Sequence, residues 1–385
     1  MHQRPKLFFA FVMRAGGVTG IHTSMHAALK GIRELGVDGE IVTPFDGSPV
    51  KYLPVFGMRK LITPFSRAAG VWWHRRFHGA ILEQVLRQQL GAPGDAIIYA
   101  QCPVSAKAAL SVRDPLRHKV YLAVHFNHSQ ADEWRDQGYI TEGGRVWAGI
   151  RALEQEVLPA VDGLLYVSSY MRDYLEKRFP SLASKPSIVG VNFLDMSPRD
   201  ASHGEKTGDL ITVGSLEPRK NQAYILHVLG EAKRRGHRYT LTIVGDGPDK
   251  GYLDRLAVHL DIEDQVIFVG VSNTVFDHLA SHRVLVHAAT MESFGLVVVE
   301  AMAHGLPVVA APVGGITELF ADGVEGLHWP LNDVMAGADT LVRIMEDRDL
   351  RRRMGSAAQR RFATKYHATK VLPQLRDFLL DGMEA

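Results

Sequence analysis

The chain reads as an α/β protein of two doubly wound, parallel-sheet domains with a ligand cleft between them. Three observations predict this. Short apolar runs alternate with segments of helical period along the whole sequence, the signature of strands covered by helices on both faces. In the second half each strand is read as ending in glycine or small residues just before its helix, as ligand-binding carboxyl edges require. Between Asp195 and Gly208 the composition changes to a linker, with Pro198, two glycines, several charges and few apolar residues.

The 385 residues are too many for one ordinary core and suit two domains of under ~200 residues each. A net charge of +2 gives no bulk reason to bind nucleic acid. The single cysteine, Cys102, excludes an internal disulfide framework and fits a reducing compartment. The apolar run Leu7–Met13 is short for a secretion signal and reads as a buried strand. No run approaches the ~18 apolar residues of a membrane span. A soluble cytoplasmic protein is expected, with attachment to the inner membrane surface left open.

In the first half, strands are expected at Leu7–Met13, Glu40–Thr43, Ala96–Ala100, Lys119–Val124, Gly163–Val167 and Ser187–Val191. Helices are expected from about Ile21 to Leu35, Arg67 to Leu90, Val104 to Val112, Arg145 to Leu158 and Ser169 to Phe179. Pro159 is read as the stop of the fourth. Pro44 to Pro64 shows no clear period and is read as irregular. In the second half, strands are expected at Leu210–Val213, Leu241–Val244, Val266–Val269, Val284–His287, Pro307–Ala310 and Gly326–Trp329. Helices follow from near Asn221, Asp249, Asn273, Gly295, Gly315 and Asn332. The tail from Tyr366 to Leu380 is helical, with an apolar face of Val371, Leu372, Leu375, Phe378 and Leu379. The implied division is 1–194, a linker 195–208, 209–365, and a terminal helix 366–385.

Chemistry concentrates between Glu292 and Glu300. A strand, a short loop with Gly295, and an apolar helix from Leu296 make an anion site, because the first helical N–H groups lack partners and carry roughly +0.5 charge. Ser293 adds a hydroxyl beside Phe294. Glu300 lies eight residues after Glu292, about two helical turns. A carboxylate inside an apolar helix is costly unless hydrogen-bonded, which points to a polyhydroxylated ligand; the competing reading is a surface glutamate and an N-cap.

A second anion-handling loop is Val213-Gly214-Ser215-Leu216-Glu217-Pro218-Arg219-Lys220-Asn221, after the first strand of the second half. Arg219 and Lys220 stand where a departing diphosphate would lie, and such a leaving group needs fixed cations and N–H donors. The only Asp-x-Asp, Asp347-Arg348-Asp349, sits in a charged helical region with no strand before it and reads as solvated surface. His22 and His26 share a helix, but no third ligand is evident. No metal site is expected, and no cofactor.

The Glu-x7-Glu pattern in this setting resembles the retaining glycosyltransferases of family 4, and the resemblance extends over nearly the whole chain. Its strongest part is about 209–330. Lys220 matches the lysine of the family's Gly-Arg-Leu-x-x-x-Lys-Gly motif. Ser215 stands where many members have arginine and Asn221 where many have glycine. A subgroup with the Glu-Pro-Arg-Lys-Asn form looks nearest, in which Arg219 supplies the missing cation. The resemblance implies the GT-B architecture, with two Rossmann-like domains facing a cleft and the last helix crossing back to the first domain.

It also implies roles. Glu300 would accept from ribose hydroxyls, Ser293 to Leu296 would donate N–H groups to the diphosphate, and Glu292 would orient the sugar. Val271, in Phe268-Val269-Gly270-Val271, would meet the base through its backbone. Gly245, in Val244-Gly245-Asp246-Gly247-Pro248, shapes the neighbouring loop, while Pro312–Glu318 reads as a structural turn. In the first domain Gly16 and Gly17 follow the first strand and would reach the diphosphate or the acceptor. A histidine at the end of the 119–124 strand would lie near the transferred sugar; both His125 and His128 can fill that place, and His125 directly follows the apolar run. The expected substrates are a UDP- or GDP-sugar and an acceptor hydroxyl. The aromatic–basic run Trp72–Phe77 suits either a lipid surface or packing on nearby loops. An epimerase or phosphorylase of the same architecture, and a non-catalytic binding protein, remain alternative readings.

Overall fold

A computed structural model describes residues 5–16, 20–91, 94–196 and 206–384. They form two compact units, 1–193 with 368–385 and 194–367. Residues 197–205 of the expected linker, and Gly17, lie outside the described residues. Among those residues no helix is long and apolar enough to cross a membrane.

Unit 1 is built on six parallel strands: β1 (Lys6–Ala10), β2 (Gly39–Val42), β3 (Ala96–Ala100), β4 (His118–Val124), β5 (Gly163–Tyr166) and β6 (Ser187–Val189). Their order is β2-β1-β3-β4-β5-β6. Leu7, Phe8, Phe9 and Ala10 are all buried, so this strand is covered on both faces. The chain runs from β1 out to β2 and then returns to place β3 on the other side of β1. That reversal opens a crevice at the carboxyl ends of β1 and β3, where α/β sheets bind ligands.

Unit 2 repeats the plan with β7 (Gly208–Val213), β8 (Leu241–Val244), β9 (Val266–Gly270), β10 (His282–His287), β11 (Val308–Ala310) and β12 (Gly326–His328). The order is β12-β11-β10-β7-β8-β9, so the reversal falls between β7 and β10. Val284 pairs with Leu210 and Leu285 with Ile211. The two loops singled out in the sequence are therefore the ones leaving the two strands that flank the switch point.

Several expectations are corrected. The stretch 44–64 is not irregular: it holds a 3₁₀ turn, Pro44–Asp46, and a helix, Pro49–Ile62. Pro49 suits a first turn, where its missing N–H is not needed. Pro54 lies inside the helix against its own preference. Tertiary contacts offset it: Phe56 stacks on Phe45 at 4.0 Å, and Trp73 donates to the Val55 carbonyl at 2.8 Å. The long helix 67–90 carries a π turn, His74–His78, between Arg67–Trp73 and Gly79–Gln89. The helix expected to stop at Pro159 runs Arg145–Ala160 and ends one residue past that proline. A short helix, Gln130–Asp136, capped by Ser129, was not anticipated.

The terminal helix, Ala368–Glu384, belongs to unit 1. Val371, Leu372, Leu375 and Leu379 are buried, and Phe378 meets Tyr121 edge-on at 5.4 Å.

Candidate active site

In unit 2 the chain leaves β7 through Gly214 and makes a 3₁₀ turn at Pro218–Lys220. Asn221 follows in the left-handed conformation, φ 52° and ψ 41°. This explains the departure noted in the sequence. The position needs a left-handed residue, and asparagine is one of the few side chains that accept it routinely.

The loop after β10 is fastened to that turn. Thr290 donates its N–H to the Arg219 carbonyl at 2.9 Å. The Arg219 guanidinium donates to the Met291 carbonyl at 2.9 Å and to Glu217 Oε1 at 2.7 Å, and lies 3.4 Å from Glu292 Oε2. Lys220 Nζ donates to Glu292 Oε1. His287, the last residue of β10, has Nε2 3.3 Å from the same oxygen. Two cations and two carboxylates are thus interlocked across the switch point. Glu217 and His287 were not singled out beforehand. The sequence offered only weak signals: a glutamate inside the cation motif and a histidine closing an apolar strand.

Burial alone would push the Glu292 carboxyl up, but Lys220, His287 and Arg219 outweigh it and hold it well below the usual carboxylate range. Burial keeps the His287 imidazole low, against the pull of Glu292. The Glu292 backbone is fixed from below, where the Gly315 N–H donates to its carbonyl at 2.9 Å. Gly314, at φ 52°, lies so close that an added Cβ would sit 2.1 Å from that carbonyl oxygen.

Gly295, at φ 97°, turns the chain into the helix Leu296–Ala303. Among the described residues the N–H groups of Phe294, Gly295 and Leu296 have no protein acceptor, as expected at a helix start. Ser293 is buried, and the Phe294 ring packs 6.1 Å from Tyr366, leaving that residue only its backbone to offer a ligand. Glu300 lies one turn further in. Among the described residues no group donates to its carboxylate, and burial pushes its pKa up to about 7. Gly245, after β8, approaches the β7 loop so closely that a Cβ would lie 2.0 Å from the Gly214 carbonyl oxygen. Val271, just past β9, is 70% exposed.

In unit 1, Gly16 is exposed at the carboxyl end of β1. His125 follows β4, with Nε2 3.1 Å from Gln101 Oε1, and burial pushes its pKa down to about 4. Gln101 follows β3 and was not anticipated. His128 stacks on Tyr174 at 4.0 Å and pairs with the Tyr170 hydroxyl at 2.7 Å. These contacts commit the second histidine to packing. Asp347 accepts from the Leu350 N–H at a helix start and Asp349 pairs with Arg352, so both serve their own helix.

Known proteins fit this picture. The family model described as glycosyl transferases group 1 matches residues 196–361, and that of a glycosyl transferase 4-like domain matches 19–184. The D-inositol 3-phosphate glycosyltransferase of Frankia alni is 32% identical over 311 residues, 74% of each chain. The N-acetyl-alpha-D-glucosaminyl L-malate synthase of Bacillus anthracis is 34% identical over 141 residues, a match that spans 37% of either chain. The Anabaena protein HepE, solved with UDP and glucose, superposes with a TM-score of 0.68 at 19% identity, over 98% of this chain and 99% of that one. Two doubly wound sheets, the interlocked loops at a switch point and these likenesses lead to one conclusion: the chain belongs to the group 1, family 4-like glycosyl transferases and has the GT-B fold.

Proposed function

We propose that this glycosyltransferase is retaining and metal-independent, and that it moves a hexosyl unit from a UDP- or GDP-sugar to an acceptor hydroxyl. The observation that carries the reading is the Glu217–Arg219–Glu292–Lys220 network, set beside unpartnered helix N–H groups and a carboxylate with no donor. Unit 2 takes the donor. Glu300 accepts from the ribose hydroxyls, and the N–H groups of Phe294, Gly295 and Leu296 receive the diphosphate. Lys220 uses one of its three N–H bonds on Glu292, which leaves it able to reach a phosphate oxygen. Arg219 holds the two loops together and adds positive charge nearby. Glu292, kept ionised, accepts from the sugar hydroxyls. Val271 offers its backbone to the base, and Gly245 shapes the loop beside it. Unit 1 takes the acceptor through Gly16, Gly17 and a neutral His125.

In the reaction the acceptor oxygen bonds to the anomeric carbon as the bond from that carbon to the diphosphate breaks. The electron pair leaves with the phosphate, whose oxygen takes the acceptor proton. Charge grows on the leaving group, which is why donors fixed in advance accelerate this step most.

The test is direct. Lys220→Ala should lower kcat by about 10²–10³-fold with donor binding partly retained, as expected when one stabiliser of developing charge is removed. A wild-type rate in that folded variant would refute the assignment. Full activity in a chelator, retained after dialysis, supports metal independence; loss restored by magnesium overturns it. A thermal-shift panel of nucleotide sugars identifies the base and sugar. Inositol phosphates and L-malate, named for the relatives, belong in the first acceptor panel, and anomeric proton couplings in the product report retention. An epimer formed from donor alone would favour the epimerase reading, and tight donor binding without turnover the binding-protein reading.

A further inference from the structure

Unit 1 contains a cavity of about 450 Å³ among its helices, and neither Gly16 nor His125 is in its lining. It lies among the helices Arg67–Trp73, Gly79–Gln89, Pro103–Val112 and Arg145–Ala160 and the π turn His74–His78. Its lining includes Trp72, Arg75, Arg76, Lys107, Arg145 and Leu153. The volume falls in the range of small-molecule sites.

The lining carries more positive than negative side chains. Lys107 pairs with Glu156, and Glu83, the only carboxylate in the lining, pairs with Arg87. Arg75, Arg76 and Arg145 have no ion-pair or hydrogen-bond partner among the described residues. Arg75 is the sharpest case, because its Nε is buried and has no acceptor. Buried donors are rarely left unsatisfied, and least of all charged ones. Three guanidinium groups line one cavity whose wall holds a single carboxylate; Arg76 and Arg145 are exposed and Arg75 also feels the buried Glu154, so the cavity has an excess of positive charge to offer an anion. Their planar forks match phosphate oxygens in pairs. The rest of the wall is apolar, with Val104, Val146 and Leu153, and Trp72 is 51% exposed.

We propose that this cavity binds a phosphate ester with an apolar portion, the phosphate held by Arg75, Arg76 and Arg145 and the apolar part lying against Trp72 and Leu153. No residue given a role in the transfer reaction, in either unit, lines the cavity. The source of the phosphate is either a soluble ester or a lipid headgroup.

Calorimetry on the full chain decides it, with glycerol 3-phosphate and dihexanoyl phosphatidic acid as probes. At least one probe should bind, with the same affinity in wild type and in Lys220→Ala, which removes a cation of the site in unit 2. Binding should weaken at least tenfold in the double variant Arg75→Gln/Arg145→Gln. It should weaken equally in Gly149→Leu, which fills the cavity. A Cβ at Gly149 meets nothing within 4 Å, so that variant keeps its fold even where the arginine variant does not. Binding of glycerol 3-phosphate assigns a soluble ester. Binding of the short-chain lipid alone, together with sedimentation on phosphatidylcholine vesicles containing phosphatidic acid, assigns a headgroup. Three results overturn the proposal: neither probe binds, Gly149→Leu binds as well as wild type, or dihexanoyl phosphatidylcholine binds as tightly as the acid.

Discussion

Burial moves the Glu300 carboxyl away from that of a free glutamate in a direction that can be measured. Burial raises its pKa to about 7, from an ordinary value of 4.5. The folded chain therefore holds a proton that the unfolded chain releases near pH 4.5, and the stability from that proton fades as pH rises through about 7. A Glu300→Gln variant should gain in melting temperature over wild type as pH is raised from 5 to 8. Donor hydroxyls favour the ionised carboxylate, so donor affinity should increase through the same window, and calorimetry in buffers of different ionisation enthalpy should detect proton release. A flat pH profile for both would remove Glu300 from the ribose site. Glu292 behaves oppositely. Its carboxyl is depressed, so its pairing supports the fold at every pH above the ordinary carboxylate range and is lost only in strong acid. His125, lowered to about 4, is a neutral hydrogen-bonding group at pH 7.

At the scale of elements, two turns hold the network in register. Asn221 ends the cation turn in the left-handed region. Asn221→Gly should leave stability nearly unchanged, whereas Asn221→Val should cost about 1–2 kcal/mol in denaturant unfolding. Gly314 supports the Glu292 loop from the next strand connection. Gly314→Ala combines a left-handed strain of about 1–3 kcal/mol with a clash against the Glu292 carbonyl. It should weaken donor binding more than it lowers the melting temperature, because the carbonyl it displaces belongs to the residue gripped by Lys220. An unchanged donor Kd would show that the loop tolerates the shift.

At the scale of the whole molecule, the chain returns to unit 1 with the helix Ala368–Glu384, so that unit is assembled from two stretches of sequence separated by unit 2. Leu375 is 1% exposed in this helix. Leu375→Ala should cost about 2–5 kcal/mol, read from the denaturant midpoint of unit 1. Cutting the chain after His367 should leave the Leu372 site against Gly31 uncovered and make unit 1 prone to aggregation.

Much of this was legible in one dimension. Strands buried on both faces must be apolar throughout, so runs such as Leu7–Ala10 and Val284–His287 announce themselves, and a loop that meets phosphate must carry glycine, hydroxyls or cations in a short span. What the sequence by itself determined is the α/β class, the two-part division and the loops 214–221 and 292–295, because these follow from local composition and spacing. Only the tertiary structure decided that Lys220 and Arg219 grip Glu292, that His287 stands behind it, that His128 packs while His125 meets Gln101, and that a helix containing Pro54 survives. The reason is physical: partners such as residues 220 and 292 are joined by strand order and not by chain proximity, and a proline's local cost is overruled by contacts that exist only once the chain has packed.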